Sequence, residues 1–121
     1  MSASSTEKGF TLFVEVTILA GKLDEFFKHY DSMLHQITKE KGFLSIEVFR
    51  AEEKPNQLCW VENWSVSKSW FFENIITKTY IQQYLKATET LCDGERSVRG
   101  WERLGANYAI ANPGVYQEPN A

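Results

Sequence analysis

The chain has 121 residues, 43% of them hydrophobic and 14% aromatic, with a formal net charge of −3. That length supports one domain, and that apolar content excludes disorder over most of it. The mildly acidic balance, without any block of Lys and Arg, speaks against nucleic acid, and no apolar run approaches the ~20 residues of a membrane span.

Met1 to Gly9 is small and polar and lacks the apolar segment of a signal peptide, so it reads as a loose arm ahead of a domain over residues 10–104. Phe10 to Leu19, rich in Phe, Val, Thr and Ile, reads as a first strand. After Ala20-Gly21-Lys22, the apolar residues Leu23, Phe26, Phe27, Tyr30, Met33, Leu34 and Ile37 recur at helical spacing and predict a helix to about Glu40, closed by Gly42. Phe43 to Ala51 and Leu58 to Ser65 read as strands around a Glu53-Lys54-Pro55-Asn56 loop. A second helical region opens at Ser67, breaks near Thr77 and resumes over Tyr80 to Leu91, where Ile81, Tyr84, Leu85 and Thr88 share a face. Arg96 to Leu104 reads as a weaker fourth strand, interrupted by Gly100. The order βαββαβ predicts an α+β, ferredoxin-like fold, an antiparallel sheet with its helices on one side.

Helices cover only one face of such a sheet, yet the strands carry apolar residues on both, with Phe13, Leu19, Phe43 and Phe49 set against the main apolar face. An exposed apolar sheet face marks an interface, which predicts a homodimer packed sheet to sheet. Residues 105–121 lack a regular pattern but include Tyr108, Ile110, Val115 and Tyr116, so this tail is expected to fray, to dock across the dimer or to cover a pocket mouth. Two cysteines, Cys59 and Cys92, are too few for a disulfide framework and fit a reducing cytoplasm.

The third strand is the richest in chemistry. Side chains alternate along a strand, so Trp60, Glu62 and Trp64 share one face, a flat apolar wall with a carboxylate that needs a partner. No metal site is expected, because His29 and His35 do not face together on a helix, and the isolated glycines form no nucleotide-binding loop.

The run Ala20-Gly21-Lys22, amphipathic helix, Lys41-Gly42-Phe43-Leu44-Ser45, hairpin and Glu62-Asn63-Trp64-Ser65 resembles the antibiotic biosynthesis monooxygenase (ABM) domain of the dimeric α+β barrel superfamily, over about Phe10 to Leu91. Glu62 and Trp64 match the family's Glu-x-Trp. Where many members carry histidines on the next helix, this chain has Asn74 and Thr79, with Tyr80 beside it, and the axial histidine of haem-degrading members has no counterpart. The resemblance implies a homodimeric enzyme that oxygenates a small electron-rich aromatic or polyketide-type molecule without a cofactor. Such chemistry needs an apolar pocket with a few convergent polar groups. Trp60, Trp64, Trp70 and Phe72 are the candidate walls. Asn63, Asn74 and Tyr80 are the candidate donors to a substrate oxyanion, and Tyr30 or Tyr84 closes the far side. The candidate bases are His29, on the flank of the first helix, and Glu62 with its pKa raised by burial. Glu62 also reads as a structural carboxylate bonded to a neighbouring indole. A cofactor-free lyase, cyclase or isomerase and a non-catalytic binding dimer fit the same residues.

Overall fold

The computed structural model describes residues 9–118, and the arm expected over Met1 to Gly9 lies outside them except for Gly9. Four strands, β1 (Phe10–Thr17), β2 (Phe43–Arg50), β3 (Gln57–Trp64) and β4 (Ser97–Glu102), form one sheet in the order β2-β3-β1-β4. Every neighbouring pair is antiparallel. Three helices, α1 (Leu23–Ile37), α2 (Lys68–Asn74) and α3 (Thr79–Glu89), complete the α+β, ferredoxin-like fold. A 3-10 turn over Ala106–Tyr108 follows β4.

The boundaries differ from the sequence expectation at element ends, where backbone bonding rather than side-chain period decides. The first strand stops at Thr17, and Ile18 makes only an isolated bridge to Cys92. The first helix stops at Ile37, because the next residues tighten into shorter-range bonds, Lys39 N–H to the Gln36 carbonyl and Glu40 N–H to that of Ile37. The second helical region splits into two near Thr77, as the sequence predicts. Ser67 caps α2 by accepting the Trp70 amide at 3.1 Å. The last strand is shorter than expected and exposed along its length.

Alternation sorts the sheet into two faces. Phe10, Leu12, Val14 and Val16 of β1 and Leu58, Trp60, Glu62 and Trp64 of β3 are buried with Phe26, Tyr30, Met33 and Ile37 of α1 and Ile81 and Tyr84 of α3. This is the core, and at its third-strand end it is almost entirely aromatic. The opposite face mixes polar and apolar groups: Arg99 lies over the Phe13 ring at 5.1 Å and meets Glu15 at 3.5 Å, while Phe49 and Trp101 are 45% and 56% exposed. Gly9 is required at the edge of the aromatic cluster. Its φ is +73°, and a Cβ there would fall 1.9 Å from the Trp64 carbonyl oxygen.

Candidate functional site

Trp60, Glu62 and Trp64 follow one another at two-residue steps on the covered face of β3, so the two indoles flank the carboxylate. Each indole N–H donates to one Glu62 oxygen, Trp60 to Oε2 and Trp64 to Oε1, both at 3.0 Å. Glu62 is only 4% exposed. Burial pushes its carboxyl above the usual range, and the two indole donors offset part of that rise. The result is a buried carboxylate aimed and held by neutral donors, with no cation paired to it among the described residues.

Glu62 lies in the wall of a cavity of ≈210 Å³ between the sheet and the helices. Leu12 and Val14 form its floor, Met33 and Ile37 of α1 one side, and Phe71, Phe72, Ile81 and Leu85 of α2 and α3 the other, with Trp60 and Tyr84 alongside the carboxylate. Arg96 and Val98 close it at the β4 edge. Phe72 and Val98 are 38% and 47% exposed, which puts the mouth between α2 and β4. Tyr30 backs the wall, its ring 4.8 Å from Trp60 and 6.0 Å from Tyr84. The hydroxyls of both Tyr30 and Tyr84 are buried without a hydrogen-bond partner. Burial raises the pKa of each, and the Glu62 charge adds to the rise. Among buried groups, such orphaned hydroxyls are exceptions that ask for a missing partner.

The structure therefore brings Trp60, Glu62, Phe72 and Tyr84 to one cavity and sets Trp64 and Tyr30 against its wall. It does not bring the remaining candidates there. Asn63 lies on the opposite face of the sheet, accepting from Thr11 at 2.5 Å and donating to Ser45 at 3.0 Å. This follows from the same alternation that aligns its neighbours Glu62 and Trp64. The Asn74 amide turns back along its own helix to the Trp70 carbonyl at 3.0 Å, and Trp70 is 40% exposed. Tyr80 donates to Glu40 Oε2 at 2.6 Å and does not line the cavity. His29 sits in a shallow surface depression with Asp24, Lys28 and Ser32.

The sequence reading missed Phe71 and Arg96. Phe71 is legible as an apolar residue of a short helix, though about two turns give too little period to set its face. Arg96 carried no local signal. A larger surface cleft of ≈400 Å³ runs between α1, β2 and the tail residues Tyr116 to Glu118, and no residue lining it is fully buried. Among the described residues, no three His, Cys, Asp or Glu side chains gather as a metal site would require. No helix among them is long and apolar enough to cross a membrane.

The profile of the antibiotic biosynthesis monooxygenase family matches residues 9–71, which ends just as α2 begins to close the cavity. No curated protein matches the chain in sequence. Solved structures match its shape. A conserved protein from Methanosarcina mazei Go1 superposes with a TM-score of 0.71 at 17% identity, over 78% of this chain and 91% of that one. A protein from Nitrosomonas europaea, provisionally assigned as an antibiotic biosynthesis monooxygenase, gives 0.73 at 10% identity, over 81% and 92%. A variant of SnoaB, a cofactor-independent oxygenase from Streptomyces nogalater, gives 0.70 at 13% identity, over 84% and 99%. At these identities the likeness is one of fold.

Proposed function

Because the chain belongs to the antibiotic biosynthesis monooxygenase family, we propose that it is a cofactor-independent monooxygenase acting on a small electron-rich aromatic substrate in the Glu62 cavity. The observation that carries this reading is a carboxylate with a raised pKa in an aromatic-walled cavity. The cavity's ≈210 Å³ falls below the roughly 300–1,000 Å³ of ordinary ligand pockets. That size favours a one- or two-ring hydroxyaromatic over a tetracyclic one.

In this mechanism Glu62 takes the hydroxyl proton of the substrate. The O–H bond breaks, a carboxyl O–H forms, and the ring is left as an electron-rich phenolate. A base with a raised pKa suits this transfer, since catalytic acids and bases work best near the operating pH. The phenolate then reduces dioxygen itself. Of the two oxygen atoms, one enters the ring and the other leaves as water, and the substrate supplies all four electrons on its way to a quinone. The protein holds the ring flat against Trp60 and Phe71 and keeps bulk water from the intermediates. The chain would act as a homodimer, with the Phe49 and Trp101 face of the sheet against a second copy.

The test is dioxygen uptake by chelator-treated protein with naphthols, hydroquinones and anthrones, with product mass recorded in the same samples. The expected result is uptake above the protein-free control, one oxygen atom added, and a fall in kcat of about 10²–10⁴-fold in Glu62→Gln. Product change without uptake would replace the oxygenase by a lyase or isomerase using the same base. No change with any substrate would leave a binding dimer.

A further inference from the structure

Three buried polar atoms lack a hydrogen-bond partner among the described residues: Tyr30 Oη, Tyr84 Oη and Arg96 Nε. Two of the three belong to side chains that line the Glu62 cavity. Arg96 is seated from behind. Its guanidinium donates to the Thr88 hydroxyl and, at 3.5 Å, to the Leu85 carbonyl, and it lies 5.7 Å from the centre of the Tyr84 ring. The Thr88 hydroxyl in turn donates to the Tyr84 carbonyl at 2.8 Å. Neither ion pair of the described residues involves Arg96. The half-buried Arg96 cation is thus held on helix α3 with no carboxylate to answer it.

An arginine has only donors to offer. Its Nε–H and the Tyr84 O–H, both buried and both on side chains that line the cavity, leave it in want of an acceptor, and a cation there favours one that carries charge. From this arrangement we propose that Arg96 and Tyr84 form an oxyanion subsite, in which the substrate is bound through a deprotonated oxygen.

The proposal rests on the oxygenase reading for its chemistry and completes its charge balance. Before proton transfer the negative charge is on Glu62; afterwards Glu62 is neutral and the charge is on the substrate oxygen, nearer Arg96. No net charge enters or leaves the cavity in that step. The groups facing this end are Glu62 from β3, Tyr30 from α1, and Tyr84 and Thr88 from α3, with the Cys92 thiol beyond. Arg96 is the only cation in the cavity lining, and the Lys68 side chain of α2 lies against Gly100 of β4 beside the mouth.

The experiment is a titration with 4-nitrophenol, whose phenol and phenolate differ in colour, so that binding and ionisation are read without turnover. The apparent pKa of the bound dye is expected to fall by about 1 to 3, as for an acid placed beside an arginine. Arg96→Met should abolish the fall, Arg96→Lys should restore part of it, and Tyr84→Phe should weaken binding several-fold. Thr88→Val unseats the guanidinium without removing its charge, and a melting curve for each variant separates misfolding from loss of the subsite. A dye bound only as the neutral phenol, a full fall retained in a folded Arg96→Met, or no binding at all would overturn the proposal. Dioxygen uptake is scored separately. Phenolate binding without uptake keeps the subsite and removes the oxygenase; uptake without the pKa change does the reverse.

Discussion

At the residue scale, Glu62 is a group whose folded pKa stands above its unfolded value of 4.5. The folded state therefore holds a proton that the unfolded state has released once the pH exceeds that value. Stability from this residue is full below about pH 4.5 and is lost as pH rises through the raised native pKa. The pH dependence of the whole protein sums over many groups, so the informative quantity is a difference. The melting temperature of the wild type minus that of Glu62→Gln should fall across this window and level off above it. Glutamine offers one acceptor to two indole donors, leaving a buried N–H unsatisfied at a cost of about 1–3 kcal/mol at low pH. Tyr30 predicts a change of the other sign. Its hydroxyl is buried without a partner, so Tyr30→Phe should leave stability unchanged or raise it by up to about 1 kcal/mol in denaturant unfolding.

At the scale of elements, Glu40 joins the turn after α1 to the start of α3, accepting from Lys78 at 2.7 Å and from Tyr80 at 2.6 Å. That contact accounts for Tyr80, whose phenol is pushed well above its ordinary pKa by burial and by the carboxylate it donates to. α1 and α3 form two walls of the cavity, so the clamp sets their separation at one end. A hydrogen bond to a charged group contributes about 1.5–3 kcal/mol, less where solvent reaches it. Tyr80→Phe and Glu40→Gln should each destabilise by about 1 kcal/mol, and the double variant should lose less than their sum. A kcat unchanged in Tyr80→Phe would fit the clamp; a loss of several hundred-fold with stability intact would return Tyr80 to the chemistry.

At the scale of the whole molecule, the helices protect one face of the sheet and leave the other with Phe13, Val61, Phe49 and Trp101 only partly covered. The tail does little to change this: Tyr108 and Ile110 are 79% and 86% exposed. Tyr116 is the part of it that engages the fold, its phenol raised by a hydrogen bond with Glu47 on that same face. The proposed homodimer would cover this surface with a second copy. Sedimentation velocity should give a dimer, and Phe49→Asp with Trp101→Asp should give a folded monomer. A monomeric wild type at micromolar concentration would remove the sheet-to-sheet assembly.

The sequence by itself determined what repeats locally. Period two along Leu58 to Trp64 aligns Trp60, Glu62 and Trp64 and sets Asn63 opposite them, and period 3.6 places Tyr30, Met33 and Ile37 on the buried stripe of α1. The element order then implied the sheet, because few ways exist to pack two amphipathic helical segments on four antiparallel strands. What tertiary structure alone decided was membership of the cavity. Asn74 and Tyr80 lie close in sequence to cavity residues, yet one bonds its own helix and the other Glu40. Arg96, just past a chain reversal, reaches the wall because it is anchored on Thr88. Periodicity orients a side chain relative to its own element. Whether that side chain meets another depends on how a helix is rotated and seated on the sheet, and those quantities are set by packing between residues far apart in the chain.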